Sequence, residues 1–203
     1  MHNGAKSIFI ECKVFEVRLM GSRNHIGAYK LDLVKLHRTY LDLTTPHVAD
    51  ACMRLGIPVR CAPASMRPVW SGTHLVGRVC PARHYGSVDV FLEAINHASP
   101  GDVMIVDNGG RTDEACVGDL VTLEVALAGL AGIVIWGLHR DTTELKTIRL
   151  PVFSLGAMPT GPQRLDKQEA AALESATCGD HVVTNNDFVL GDEIGRASCR
   201  ERV

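Results

Sequence analysis

Apolar and polar positions fall into a regular order from Leu41 onward. In "TTPHVADACMRLGI" a threonine precedes Pro46, which suits the first turn of a helix; Val48, Cys52 and Leu55 recur on one face, and Gly56 stops it. "THLVGRVCPARHY" alternates enough to predict a strand, with Pro81 marking an edge or a bulge. "SVDVFLEAINHASPGD" predicts a helix with Ser87 as N-cap and with Val90, Leu92 and Ile95 turned largely inward. "DVMIVDNGG" is a short apolar run, Val103 to Val106, ending in a polar, glycine-rich turn. Good helix formers then run from about Asp119 to Leu130, with Gly132 beyond them.

"GIVIWG" predicts the next strand, "RDTTELKTI" a short helix and "LPVFSLG" a further strand. Strands thus alternate with helices, the pattern of an α/β domain with a partly parallel central sheet. No repeat or low-complexity segment interrupts it. Residues 1–40 lack a clean helix or strand period and read as an N-terminal extension of no assigned function. The last residues, "EIGRASCRERV" (193–203), share no pattern with what precedes them. They resemble the translation of a common sequencing-library adapter. This reading sets them outside the domain, takes the domain as 41–192, and expects the natural chain to continue past Asp192.

Composition narrows the function classes. The chain has 203 residues, 46% of them hydrophobic, and a formal net charge of −2. It can bury a core of one domain, and it lacks the basic balance that favours nucleic acid. No apolar run approaches the ~20 residues of a membrane span, and no leader is evident, so a cytoplasmic location is expected. The seven cysteines are scattered without C-x-x-C spacing, which points to reduced thiols rather than disulfides or zinc. The nine histidines show no H-x-H or H-E-x-x-H pattern. A bound metal would therefore be a hard ion on oxygen ligands, Mg²⁺ or Mn²⁺.

In open α/β sheets ligands bind beyond the carboxyl ends of the strands. Two such ends stand out, "VDNGGRTDEACVGD" and "GLHRD", and both could face one crevice. A helix starting at Gly118–Asp119–Leu120–Val121 exposes backbone N–H groups suited to a carboxylate. Arg140 could add a bidentate fork or polarise a keto oxygen, Asp141 is a hard oxygen ligand, and Asp119 could hold metal-bound water or take a proton. Such parts suit a 2-keto acid whose enolate is stabilised by a cation and an arginine.

Each part also has a plainer reading. Asp119 can be a helix cap, Arg140 and Asp141 a surface ion pair at a helix start, and Gly109–Gly110 a connecting turn. His139 is expected to pack rather than ligate. Asp107, Asp113 and Glu114 read as solvated loop acids, and little speaks for Cys116 as a nucleophile, since the sequence places no histidine partner for it. A methyl-donor nucleotide site is not expected, because no glycine-rich loop is followed by the acidic residue it needs.

The joint pattern shifts this balance. Twenty residues separate Asp119 from Arg140, and Asp141 follows at once. This D-x20-R-D spacing in "VGDLVTLEVALAGLAGIVIWGLHRD" resembles the pyruvate-aldolase branch of the RraA-like (regulator-of-ribonuclease-activity-A-like) family. The resemblance extends through "TTPHVADACMRLGI", "LVGRVCPARHY", "PGDVMIVDNGG", "LPVFSLGAMPTGP" and "DFVLGD". It implies a swivelling β/β/α domain, assembled as a homotrimer or as paired trimers in a hexamer, with sites between subunits.

It also implies 4-hydroxy-4-methyl-2-oxoglutarate aldolase and oxaloacetate decarboxylase activity with Mg²⁺, Mn²⁺ or another divalent cation. By that resemblance the amides of Gly118, Asp119, Leu120 and Val121 hold the pyruvate carboxylate. Arg140 binds substrate and steadies the enolate, Asp141 ligates the metal, and Asp119 orients water and moves protons. The segment "RLDKQEAAALESATCGDHVVTNNDF" departs from the family's commoner glycine-rich pattern, which bears on substrate choice. The other function implied is that of a regulator that binds and masks a ribonuclease without catalysis.

Overall fold

The computed structural model describes residues 39–194 and 196–200. The irregular segment 1–40 lies outside them except for its last two residues. Helix α1, Thr45–Leu55, has Thr44 as N-cap, Pro46 in its first turn and Gly56 in the left-handed conformation at its end. It buries Val48, Ala49 and Cys52, whereas Leu55 is half exposed. Its apolar face is therefore narrower than the sequence period predicts.

Strand β1 is Arg67–Pro68 and β2 is Leu75–Arg83. Helix α2, Asp89–His97, buries Val90, Phe91 and Ala94 and leaves Leu92 exposed. Ser87 Oγ accepts from the Asp89 amide at 3.2 Å, one residue ahead of the helix's formal cap. Next come β3 (Val103–Asp107), β4 (Ala115–Val117) and α3 (Asp119–Leu127). Strand β5 (Gly132–Trp136), β6 (Leu138–His139), α4 (Thr142–Ile148) and β7 (Val152–Ser154) follow. The chain then forms the hairpin β8 (Ser175–Cys178) and β9 (His181–Thr184), then β10 (Asp187–Gly191) and β11 (Arg196–Arg200).

Seven strands make one sheet in the order β1-β7-β5-β3-β2-β10-β11. The inner strands β7, β5, β3 and β2 are parallel, and β1, β10 and β11 pair antiparallel at the flanks. Residues of the segment set outside the domain on sequence grounds, Arg196–Arg200, run along β10 as its edge partner. A strand edge offers unpaired N–H and C=O groups to whatever extended chain lies beside it.

Side chains alternate between two cores. Met104, Val106, Ile133 and Ile135 face the helices with Phe91, Val125 and Leu145, while Val103, Ile105 and Val134 face the β8–β9 hairpin with Met66, Phe153 and Val183. Helices cover one face of the sheet and a hairpin covers the other, a β/β/α layering. Strands buried on both faces read as unbroken apolar runs, which is why β3 and β5 stand out in the sequence. Complete burial of Phe91 and Phe153 contributes about 1.5–3 kcal/mol each.

Pro81 lies within β2, paired with Ile105 of β3 on one side, at a point where the other side of β2 is a local edge. Strand β10 pairs β2 only as far as Arg78. The Arg83 amide, on the same side of the strand as the Pro81 nitrogen, donates to Ala172 of a loop. The donor that proline lacks therefore falls on a side where no strand needs it.

Candidate active site

The two strand ends singled out in the sequence meet. Strands β4 and β6 pair in parallel, Ala115 with Leu138 and Val117 with His139. The Arg140 amide extends the pairing by donating to Val117 O at 2.9 Å. Gly118–Asp119 therefore begins α3 directly beside Arg140–Asp141. Asp119 N donates to Asp141 Oδ2 at 3.2 Å, and Arg140 Nε lies 3.3 Å from the same oxygen. Both side chains of the pair remain accessible, at 47% for Arg140 and 33% for Asp141.

The backbone here is specialised. Asp141 adopts the left-handed conformation at φ 57° and ψ 42°. That conformation is uncommon outside glycine, although aspartate tolerates it better than most residues, and strain of this kind gathers at functional sites. Gly118 sits so close that a Cβ would overlap Asp141 Oδ2 and come within 3.1 Å of Arg140 Cγ and Nε. A side chain at 118 would have to displace the pair, although the residue's own dihedrals, extended at φ −131° and ψ −159°, would accept one.

The start of α3 already attracts oxygen anions. Asp119 N points at Asp141, and Leu120 N at Asp119 Oδ1 (2.7 Å). Thr122 fixes the turn by donating its hydroxyl to Gly118 O at 2.7 Å. Val121 turns its side chain into the core, whereas Leu120 projects into solvent. An open cleft of about 220 Å³ adjoins the site between α3 and α4, lined by Asp119, Leu120, Leu123, Glu144, Thr147 and Ile148.

Among the described residues no three His, Cys, Asp or Glu side chains converge as a metal cage. Asp141, with Asp119 beside it, offers hard carboxylate oxygens at an accessible helix start. Such a donor set fits a cation that keeps most of its water, as Mg²⁺ does, better than one that needs a closed set of protein ligands.

Neighbouring residues divide differently from the sequence reading. His139 is buried, with Nδ1 2.7 Å from Ser154 Oγ and Nε2 3.0 Å from Thr142 Oγ1, so it packs as expected. Cys116 is not a nucleophile: it is buried, burial pushes its thiol well above the ordinary range, and Sγ faces Leu138 O. Glu114 and Asp107 are not solvated; only Asp113 of the three is exposed. Asp107 accepts from Gly109 N and Thr177 N at 2.9 and 2.8 Å. Glu114 is wholly buried and pairs with Arg164 at 3.0 Å.

His84 and Asn108, which follow β2 and β3 directly, carry no motif in the sequence. His84 Nδ1 lies 2.9 Å from Asn108 Oδ1, and the ring stacks on Phe91 at 5.2 Å. An amide oxygen only accepts, so the Nδ1–H donates. Burial pushes the His84 imidazole below its ordinary value, with the Asn108 bond opposing. The folded protein thus holds a neutral ring, while the unfolded chain protonates near pH ~6.5. Stability from this group is complete above that value and is lost as the pH falls. Urea unfolding should therefore have a lower midpoint at about pH 5.5 than at about pH 7.5, and His84→Gln should narrow the gap. An equal gap in the variant would contradict this assignment.

The RraA-like family, described as Aldolase/RraA, matches residues 45–196. A protein of Shewanella oneidensis, provisionally named 4-hydroxy-4-methyl-2-oxoglutarate aldolase, is 37% identical over 125 residues, 62% of this chain and 75% of the relative. A Bacillus cereus protein with the same provisional name is 33% identical over 146 residues, 72% of this chain and 91% of the relative. Among solved structures, Streptomyces coelicolor RraAS2, described as an unusual member of the RNase ES inhibitor RraA protein family, superposes with a TM-score of 0.71. It is 21% identical and covers 82% of this chain and 85% of its own.

Proposed function

The chain belongs to the RraA-like, Aldolase/RraA family, and on that premise we propose that it is a divalent-cation-dependent carbon–carbon lyase. Its proposed substrates are 4-hydroxy-4-methyl-2-oxoglutarate-type acids, cleaved to pyruvate by a retro-aldol reaction. Oxaloacetate is decarboxylated at the same site through the same enolate. The observation that carries this reading is the β4–β6 pairing, which brings Asp119, Arg140 and Asp141 to one helix start. The relatives' provisional aldolase names support it.

The residues divide the work. Amides of Gly118, Asp119, Leu120 and Val121 receive the pyruvate-end carboxylate, which displaces the Asp141 and Asp119 oxygens that the Asp119 and Leu120 amides hold in the free protein, aided by the positive end of α3. The Arg140 guanidinium holds the keto oxygen and offsets the negative charge that gathers there as C3–C4 breaks. Asp119 relays the proton from the C4 hydroxyl and returns one to the enolate carbon. Asp141 is the residue that would hold the cation, with water beside Asp119; when bound, it supplies Lewis-acid polarisation. Pyruvate released from 4-hydroxy-4-methyl-2-oxoglutarate and from oxaloacetate, followed by coupled reduction, tests the reading. Purified protein that turns over neither would overturn it.

The assembly proposed with it is a homotrimer, or paired trimers. Leu120, Leu123 and Leu127 line one side of α3 and are 72%, 43% and 74% exposed. Their i, i+3, i+7 spacing makes one apolar stripe, of the kind that marks a contact surface. Leu123→Glu with Leu127→Glu should lower the mass in solution by light scattering to that of a single chain. An unchanged mass would place the contact elsewhere.

A second reading, a regulator that binds a ribonuclease without catalysis, is favoured by the likeness to the Streptomyces coelicolor protein. Capture of a ribonuclease by protein that releases no pyruvate would select it.

A further inference from the structure

We propose that Glu114 and Gly161 are positioning residues for Arg140, working through the segment 160–164. The inference rests on the reading that Arg140 binds the 2-keto acid. Arg140 is half exposed, and its ion pair is with the adjacent Asp141. Left to that contact, a long side chain would sample several rotamers.

Two glycines narrow the choice. The stem and Nε of Arg140 lie against Gly118, and Nη1 lies over Gly161, where a Cβ would come within 3.0 Å. Gly161 is not among the described glycines with positive φ, so its backbone would accept alanine. The guanidinium is what lies where its side chain would be.

The segment carrying Gly161 is anchored from below. Ala115 N donates to Thr160 O at 2.8 Å. The carboxylate of Glu114, 0% exposed, receives Gln163 N at 3.3 Å and Arg164 Nε at 3.0 Å, and Arg111 Nε lies 3.4 Å away. Arg164 reaches on to Asn108 Oδ1 at 2.8 Å and His84 O at 3.2 Å. A buried carboxylate is retained only when its oxygens are satisfied. Glu114 therefore fixes the height of the 160–164 segment over β4, and with it the wall against which Arg140 rests.

Gly161→Ala tests this with little threat to folding. Its thermal unfolding should match the wild type, while the ¹⁵N–¹H resonance of Arg140 Nε, assigned by its disappearance in Arg140→Lys, should move. Shifting a substrate-orienting group by a few tenths of an ångström should also cost roughly two- to ten-fold in kcat/KM for pyruvate release. The same substitution in an Arg140→Ala background should cost nothing more. Glu114→Gln should move the same resonance, and if that variant fails to fold Gly161→Ala decides alone. A Gly161→Ala protein with unchanged resonance and turnover would overturn the proposal. Wild-type protein that releases no pyruvate would overturn the lyase reading, and the resonance would still report whether Gly161 sets Arg140.

Discussion

Arg140→Ala is expected to lower kcat/KM for pyruvate release by roughly 10²–10³-fold, the scale of losing one donor to a developing oxyanion. The guanidinium is permanently charged and planar, and it presents parallel N–H donors that a keto oxygen or carboxylate can share. Lysine lacks that fork, so Arg140→Lys should recover little. With 47% of the side chain exposed, the folded state should lose no more than about 0.5 kcal/mol. Circular dichroism melting beside the coupled pyruvate assay separates the two effects. Undiminished turnover in Arg140→Ala would remove this residue from the mechanism.

Asp141→Asn should be as damaging for a different reason. Asparagine tolerates the left-handed backbone that Asp141 adopts at φ 57°. Its amide oxygen can still accept from Asp119 N, as Asp141 Oδ2 does at 3.2 Å. What is lost is the negative charge, and with it a ligand for a hard cation. Turnover should fall on the order of 10²-fold or more. Raising the Mg²⁺ concentration should recover part of the loss, a titration that Arg140→Ala should not show. A variant as active as the wild type at low Mg²⁺ would exclude Asp141 as the ligand.

Much of this site is legible in the sequence because its spacing follows from local structure. Asp119 opens α3, the chain returns through β5, and Arg140 directly follows β6. The twenty intervening residues are one helix, its return strand β5 and the short β6, which bring the chain back to the same end of the sheet. Strands β3 and β5 are equally legible, being buried on both faces.

Other features have no local signature. Strands β4 and β6 are three and two residues long, too short for a period, yet their pairing builds the site. Glu114 looks like a loop acid because its partner, Arg164, lies fifty residues away. In α3 the leucines at 120, 123 and 127 are exposed, whereas Val121, Thr122 and Val125 are buried. A helix apolar on both sides does not reveal which side its own chain covers. The β8–β9 hairpin lies inside a polar stretch, and only its inward residues, Ala176, Cys178 and Val183, carry the alternation.

If Asp119, Arg140 and Asp141 act as one cation-assisted site for a pyruvate-yielding acid, turnover requires the cation. The most direct measurement is pyruvate release from 4-hydroxy-4-methyl-2-oxoglutarate by protein stripped with EDTA, before and after Mg²⁺ or Mn²⁺ is returned. Stripped protein should release none, either cation should restore release, and Asp141→Asn should show no recovery at low Mg²⁺. Release that persists undiminished in EDTA, or none from the cation-loaded wild type, would contradict it.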